Sequence, residues 1–251
     1  MCCAVDLGVN FIDTAWYYGP LVSNRLIAEA LHPYPANLVI ATKLGGKRLP
    51  NAGWAPALRP EELRQGAADD LRTLRLERLD VVHLRHMPAA GVPFLESLDA
   101  LLAMQAEGKI RHLGLSNVGV REIEQALART PIVAVQNMFN VSGGGGPMAK
   151  YTHSEVDDPE GVLDFCTRKN IAYLPFFPLA VGNVAQQKPA LAAIADRHRA
   201  TPAQIALAWL LARSPVMLPI PGTGSVEHLE ENWAARGIEL SREEVATIAQ
   251  Q

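Results

Sequence analysis

Short apolar segments alternate with helix-like segments along the whole chain, and this alternation restricts the fold more than any other feature of the sequence. Seven segments have the short, mostly continuous apolar character that is typical of strands buried on both faces of a parallel sheet. Strands that alternate with helices predict parallel strands joined by helical crossovers. The predicted strands are Val9–Asp13, Leu38–Thr42, Leu79–Leu84, Arg111–Leu115, Ile132–Gln136, Ile171–Phe176 and Val216–Pro219.

The segments between these strands carry the signals of helices. Pro60–Leu74 opens with a proline and two glutamates, which suit a first helical turn. Ser23–Leu31 places Leu26, Ile27 and Ala30 on one face, together with its last residue. Further helices are predicted at Pro93–Ala106, Val120–Ala128, Pro159–Arg168, Pro202–Arg213, Val226–Ala235 and Ser241–Ala249, and Met1–Gly8 resembles the end of an amphipathic helix.

The strand–helix units follow one another without a linker, which predicts a single domain over residues 1–251, an α/β fold of the TIM-type (β/α)₈ barrel. Such a barrel normally has eight strands, and only seven are recognisable in this chain. We therefore expect the N-terminal strand to be missing. The main irregular segment is Val141–Asp158, for which a flexible surface insertion is favoured over a functional loop.

Composition and charge exclude several classes of function. The formal net charge of −3 leaves no basic footprint for nucleic acid or for a membrane surface. The sequence has no long apolar run that predicts a transmembrane helix, and its N-terminus has no secretory signal. Cys2, Cys3 and Cys166 form no metal-ligand spacing, so we expect no metal, and their sparse number fits a reducing cytoplasm.

Residues capable of acid–base chemistry follow three of the predicted strands. Asp13 ends the first strand and precedes Tyr17 and Tyr18, Lys43 ends the second, and Arg85 follows the third. These residues should converge, because the chemistry of a (β/α) barrel lies at the C-terminal ends of its strands. A lysine near a tyrosine lowers the tyrosine pKa from about 10, and an aspartate paired with that lysine keeps it charged. Such a phenol can protonate a carbonyl oxygen while hydride arrives at the carbon.

The segment Gly8–Ala15, followed by Tyr18-Gly19, resembles the aldo-keto reductase family. The resemblance continues through Thr42-Lys43, Gly114-Leu115-Ser116-Asn117, Val135-Gln136-Asn137, Pro178-Leu179, Ile220-Pro221-Gly222-Thr223-Gly224 and Glu231-Asn232. It implies a (β/α)₈ barrel that binds NADP(H) without a Rossmann fingerprint. No G-x-G-x-x-G motif follows a predicted strand here, which agrees with this implication.

The resemblance also implies catalytic roles. Tyr18 would be the general acid, tuned by Lys43 and Asp13, and the spacing from Asp13 favours it over the competing Tyr17. The family usually carries a histidine at the end of the third strand, and the register places Arg85 at that position.

Two histidines flank this position. His83 is interpreted as a histidine packed in the core. A bulge in the strand would place His86, instead of Arg85, at the fourth catalytic position. Arginine is not an acid at neutral pH, so we hypothesise that Arg85 favours substrates with an anionic or strongly polarised oxygen.

The cofactor site implied by the resemblance is spread over several strand ends. Ser116, Asn117 and Gln136 resemble the residues that hold the nicotinamide carboxamide, and Phe176 resembles the aromatic residue that stacks on its ring. The Gly-rich turn that begins at Gly222 precedes the predicted helix Val226–Ala235, and the N-terminus of a helix readily binds an anion. The remaining expected cofactor residues are Asp13, Leu179, Gly222, Thr223, Gly224, His228, Glu231 and Asn232. Many relatives carry lysine and arginine where this chain has Gly222 and His228, so NAD(H) stays an alternative to NADP(H).

Two functions are compatible with these features. The first is a cytoplasmic NAD(P)H-dependent oxidoreductase, a monomer or weak homo-oligomer, that reduces a small aldehyde or ketone to an alcohol. The second is a nucleotide-binding barrel protein with little catalysis, acting as a sensor or subunit. Arg85 and the missing strand favour the second function, whereas the intact set Asp13, Tyr18 and Lys43 favours the enzyme. The physiological substrate is not readable from the sequence.

Overall fold

A computed structural model describes residues 1–19, 21–49, 53–142, 156–180 and 189–250. The chain divides into two compact units, residues 1–135 and residues 136–251. Each unit is described by itself below, and the single domain over residues 1–251 stays a prediction.

The first unit consists of a parallel sheet with helices between its strands, and of one antiparallel hairpin. Its strands are β1 (Phe11–Asp13), β2 (Val39–Leu44), β3 (Gly46–Arg48), β4 (Trp54–Pro56), β5 (Leu79–Arg85), β6 (Ile110–Ser116) and the beginning of β7 (Ile132–Met138). Its helices are α1 (Cys2–Asp6), α2 (Val22–Leu31), α3 (Pro60–Leu74), α4 (Phe94–Ala106) and α5 (Val120–Leu127), with a 3₁₀ turn at Pro88–Ala90. The sheet order is β1-β2-β5-β6-β7, so strands that are far apart in sequence lie side by side.

The register of these strands decides which side chains meet. Asp13 lies opposite Ala41 on the neighbouring strand, and Lys43 lies opposite His83. Arg85 in turn lies opposite Ser116. Because the paired strands run in the same direction, their C-terminal residues share one edge of the sheet, as the sequence predicted.

Two local features of the first unit differ from the sequence predictions. An antiparallel hairpin of β3 and β4 follows β2, and it pairs Arg48 with Trp54. Helix α2 buries Asn24, Ile27 and Ala28, whereas Leu26, which shares the predicted apolar face with Ile27, is 48% exposed. The buried side of α2 therefore coincides only in part with the predicted apolar face, and its buried polar residue, Asn24, belongs to a hydrogen-bond chain described below.

The second unit contains the end of β7 and one further strand, β8 (Ala172–Phe176), which neighbours β7 in the sheet. Its helices are α6 (Pro159–Lys169), α7 (Pro189–His198), α8 (Pro202–Arg213), α9 (Val226–Ala234) and α10 (Arg242–Gln250), with a 3₁₀ turn at Ala235–Gly237. Helix α7 was not predicted. Residues 143–155 of the predicted irregular segment lie outside the described residues.

The seventh predicted strand, Val216–Pro219, is reduced to a single parallel bridge between Tyr173 and Met217. The Tyr173 N–H donates to the Val216 carbonyl at 2.8 Å, and the Leu218 N–H donates to the Tyr173 carbonyl at 2.8 Å. Prolines explain the short pairing, since Pro215, Pro219 and Pro221 have no N–H to donate to a ladder. Over the described ranges, no helix is long and apolar enough to span a membrane.

Candidate active site

A buried ion pair joins the ends of β1 and β2. Lys43 Nζ lies 2.6 Å from Asp13 Oδ2 and also donates to the Thr14 carbonyl at 2.7 Å. The two charged side chains are only 2% and 10% exposed. Burial alone would lower the pKa of Lys43, but the Asp13 carboxylate and two nearby phenols outweigh it and raise the pKa above its ordinary value. Lys43 is therefore a fixed positive charge at this strand edge.

Tyr18 lies over this ion pair. Lys43 Nζ is 4.9 Å from the centre of the Tyr18 ring, and Tyr18 is 36% exposed. The removal of water from around its hydroxyl raises the pKa of Tyr18, and Lys43 lowers it by a smaller amount. Lys43 thus acts in the predicted direction, but the predicted net lowering of the Tyr18 pKa is wrong. Tyr18 therefore keeps its proton at neutral pH, which is the state that a proton donor needs.

Tyr17 has the opposite environment. It is 2% exposed, and its ring contacts the edges of two aromatic neighbours, Tyr18 at 5.4 Å and Trp54 at 4.6 Å between ring centres. Its hydroxyl has no hydrogen-bond partner among the described residues. Tyr17 is therefore a buried aromatic residue that packs against both Tyr18 and Trp54 of the unpredicted hairpin.

The end of β5 holds the residues considered for the fourth catalytic position. Arg85 is the last residue of the strand and is 9% exposed. His83 is fully buried, and a Cβ added at Gly114 would lie 2.6 Å from its Cδ2 atom. Burial lowers the pKa of His83 to about 4, so its imidazole is neutral at pH 7. The glycine at position 114 thus leaves the space that this ring occupies.

His86 lies just beyond the strand. Its ring packs against the ring of Phe94, with the ring centres 5.2 Å apart. Burial lowers its pKa as well, partly offset by Glu122. Arg85 as the fourth catalytic residue, and His86 as its alternative, stay predictions.

Two predicted cofactor residues lie at the end of β6. Ser116 is fully buried, and its hydroxyl has no hydrogen-bond partner among the described residues. Asn117 follows it in the left-handed region, at φ 59°, and is 6% exposed. A buried hydroxyl without a partner costs about 1–3 kcal/mol. A nicotinamide carboxamide has both a donor and an acceptor to offer such a group, so these residues fit the cofactor that the sequence implies.

Apart from Asp13, the other predicted cofactor residues belong to the second unit. Gln136 is 1% exposed on β7, and the half-buried Phe176 ends β8 with its ring 5.4 Å from that of Phe177. Leu179, Glu231 and Asn232 are half-buried as well, whereas Gly222, Thr223, Gly224 and His228 are exposed.

The turn before α9 is open. A Cβ built at Gly222 or Gly224 would meet no atom within 4 Å. Ser225 caps the helix by accepting a hydrogen bond from the His228 N–H at 3.3 Å. This turn therefore leaves space beside a capped helix N-terminus, which is the kind of place that accepts a phosphate group.

Comparisons with known proteins give the family. The aldo/keto reductase family model matches residues 1–251. The chain is 44% identical over 251 residues to "Pyridoxine 4-dehydrogenase" of Escherichia coli (strain K12), and this match covers 98% of the chain and 82% of the relative. The chain therefore belongs to the aldo/keto reductase family.

Solved structures agree with this assignment. A thermostable aldo-keto reductase in complex with the inhibitor epalrestat matches with a TM-score of 0.81 and 32% identity, covering 98% of this chain and 84% of that one. An aldo-keto reductase from Klebsiella pneumoniae in complex with NADPH matches with a TM-score of 0.78 and 26% identity, covering 99% and 82%. The predicted α/β fold of the TIM-barrel type and the predicted class, an NADP-dependent oxidoreductase, are confirmed.

Proposed function

We propose that this protein reduces a small aldehyde or ketone to an alcohol with NADPH, or catalyses the reverse oxidation, and that Tyr18 is the proton donor. The observation that carries the proposal is the buried Asp13–Lys43 pair beneath the partly exposed ring of Tyr18. A protein that only bound nucleotide would not need an acid, a base and a phenol in this arrangement.

The roles of the three side chains follow from their contacts. The bound nicotinamide supplies the hydride. Tyr18 donates a hydrogen bond and then its proton to the carbonyl oxygen. The phenolate that remains is poorly hydrated, and the ammonium group of Lys43 stabilises it electrostatically. Asp13 keeps Lys43 charged and fixes its direction.

The proposed cofactor contacts are the residues that the family resemblance implies. In the first unit, the unsatisfied hydroxyl of Ser116 and the adjacent Asn117 are proposed to hold the carboxamide, and Asp13 belongs to the same group. In the second unit, the proposed contacts are Gln136, Phe176, Leu179, Gly222, Thr223, Gly224, His228, Glu231 and Asn232. The NADPH complex of the Klebsiella pneumoniae relative supports NADP(H) over NAD(H). The proposed setting is the cytoplasm, with the protein acting as a monomer or weak homo-oligomer.

Pyridoxal is the first carbonyl compound to test, because the relative that is 44% identical is named a pyridoxine dehydrogenase. We expect the purified chain to oxidise NADPH in the presence of pyridoxal, with a rate that saturates as pyridoxal increases. The quenching of tryptophan fluorescence by NADPH measures cofactor binding separately. Saturable binding without turnover of pyridoxal or of a panel of simple aldehydes would contradict the proposal and favour the nucleotide-binding sensor or subunit.

Arg85 is proposed to bias the site toward substrates with an anionic or strongly polarised oxygen. We expect Arg85→His to lower kcat/KM for 4-carboxybenzaldehyde about tenfold more than for benzaldehyde, since a charge-assisted hydrogen bond contributes about 1.5–3 kcal/mol. The two aldehydes differ only in the carboxylate, so each serves as the control for the other. An unchanged ratio of the two kcat/KM values would refute this role of Arg85.

A further inference from the structure

A chain of buried hydrogen bonds connects four side chains next to the Asp13–Lys43 ion pair. The Thr14 hydroxyl donates to Asn24 Oδ1 at 2.8 Å, and Asn24 Nδ2 donates to Asp70 Oδ1 at 2.7 Å. The Thr42 hydroxyl donates to the other carboxylate oxygen of Asp70 at 2.6 Å. All four side chains are at most 1% exposed. They come from β2, α2, α3 and the turn after β1, so the chain ties four segments together.

Both ends of this chain adjoin the ion pair. Thr42 directly precedes Lys43 in β2, and Thr14 directly follows Asp13. Thr14 also accepts a hydrogen bond from Lys43 Nζ through its backbone carbonyl, at 2.7 Å. The residues on either side of the Asp13–Lys43 contact are therefore held, through their hydroxyl groups, by a single carboxylate on α3.

We propose that Asp70 is a positioning residue of the reductase site, which fixes Thr42 directly and Thr14 through Asn24 and thereby holds Lys43 against Asp13 and beneath Tyr18. This inference rests on the proposed function. Asp70 acts only through other residues. Its effect on the rate follows from the sensitivity of catalysis to geometry, because a displacement of about 1 Å in a reacting group can cost roughly 100-fold in rate.

A contribution to packing alone does not account for a carboxylate at this position. Burial of a charge is costly, and apolar side chains of similar volume often stabilise a core as well or better. A carboxylate supplies two acceptors with fixed directions, and here each is used by a different donor. A buried network in which the polar groups have partners is rigid. The geometry of Asp70 is therefore that of a group that orients its neighbours.

The ionisation of Asp70 offers a readout of this role. Burial raises the pKa of Asp70 to about 7, and the charge of Asp69 on the same helix adds to this, whereas the hydrogen bonds from Thr42 and Asn24 and the charge of Lys43 lower it. Protonation removes an acceptor from the network. We therefore expect kcat of the wild-type protein to fall as the pH decreases below about 7.

The test compares Asp70→Asn with Asp69→Asn, an adjacent aspartate on the same helix that instead contacts Arg72 and Trp16. We expect Asp70→Asn to lower kcat for pyridoxal reduction about 10- to 100-fold, to leave the Kd for NADPH within about twofold, and to remove the decrease in kcat at low pH. Asp69→Asn should keep the kcat of the wild-type protein above pH 7. It should move the decrease in kcat to lower pH without removing it, because it takes away a charge that raises the pKa of Asp70.

A second pair of variants covers a failure of Asp70→Asn to fold. Thr42→Val removes the hydroxyl that donates to Asp70, so this variant should have a lower kcat than the wild-type protein. Thr42→Ser keeps the hydroxyl and should have a kcat close to the wild-type value. Wild-type kcat and pH profile in folded Asp70→Asn, or wild-type kcat in Thr42→Val, would overturn the positioning role while the reductase function stands. Absence of turnover by the wild-type protein would overturn both.

Discussion

Replacement of Tyr18 by phenylalanine is expected to lower kcat for carbonyl reduction by roughly 100- to 10,000-fold, the usual contribution of a positioned general acid. The variant keeps the ring over Lys43 and removes only the oxygen that carries the proton. The Kd for NADPH, measured by tryptophan fluorescence, should stay within about twofold of the wild-type value, so the loss should be confined to the chemical step.

Tyr17→Phe is the matched control. It makes the same change in the adjacent residue, whose buried hydroxyl has no hydrogen-bond partner among the described residues. This variant should therefore retain most of the activity. If Tyr18→Phe were active and Tyr17→Phe inactive, the assignment of the proton donor would have to be reversed.

Replacement of Lys43 by methionine should have the largest effect on stability. The side chain of Lys43 is 2% exposed and that of its partner Asp13 is 10% exposed. Its removal leaves a buried carboxylate without its cation, which typically costs about 3–5 kcal/mol in the free energy of unfolding. Urea denaturation at pH 7 measures this loss. Activity should also disappear, because no cation remains to stabilise the phenolate of Tyr18.

Two further variants show whether this loss comes from the buried charge. Lys47→Met breaks a more exposed pair with Glu62, 2.6 Å long with side chains 39% and 26% exposed, and should cost at most about 1 kcal/mol. The double variant Asp13→Asn/Lys43→Met removes both charges and should regain part of the lost stability. Equal losses for Lys43→Met and Lys47→Met would contradict the interpretation.

The pH dependence of this contribution follows from the sign of the pKa shift. The pKa of Lys43 is raised in the folded protein, so the folded state binds this proton more tightly than the unfolded state. The stabilisation is therefore fully present below the unfolded pKa of about 10.4 and is lost only as the pH rises through the higher folded value. The difference between the wild-type protein and Lys43→Met should accordingly stay constant across the neutral range.

Strand positions could be predicted from the sequence because each buried strand is a short apolar run bounded by polar residues. The same reasoning identified Asp13, Lys43 and Arg85 as strand-end residues. It predicted a full strand at Val216–Pro219, where the structure has a single bridge. The segment is apolar, but the prolines in and around it have no N–H to donate to a hydrogen-bond ladder. The helix α7 escaped detection, although its alanine-rich sequence has high helix propensity.

The pKa of Tyr18 shows a limit of sequence reasoning. The sequence identifies the charged neighbours and hence the direction in which Lys43 acts. It does not say how much water surrounds the hydroxyl, and here the loss of that water has the larger effect. The net direction of the Tyr18 pKa shift could therefore be determined only from the three-dimensional structure.

The role of Asp70 could have been predicted from the sequence only in part. Leu63, Ala67 and Leu74 form the buried stripe of α3 at helical spacing, and Asp70 interrupts that stripe. A charged residue on an apolar face is a signal that the sequence alone could have provided. Its donors could not have been predicted, because Asn24 lies outside the apolar face that the sequence indicates for α2.

The contacts of Lys43 also limit what this residue can do. An ammonium group has three N–H bonds, and two of them are used by Asp13 and by the Thr14 carbonyl. One N–H bond remains, and it can donate a hydrogen bond to the nearby Tyr18. Once Tyr18 accepts this third hydrogen bond, Lys43 has no donor left for a substrate, so we expect differences in substrate choice to come from other residues of the proposed site.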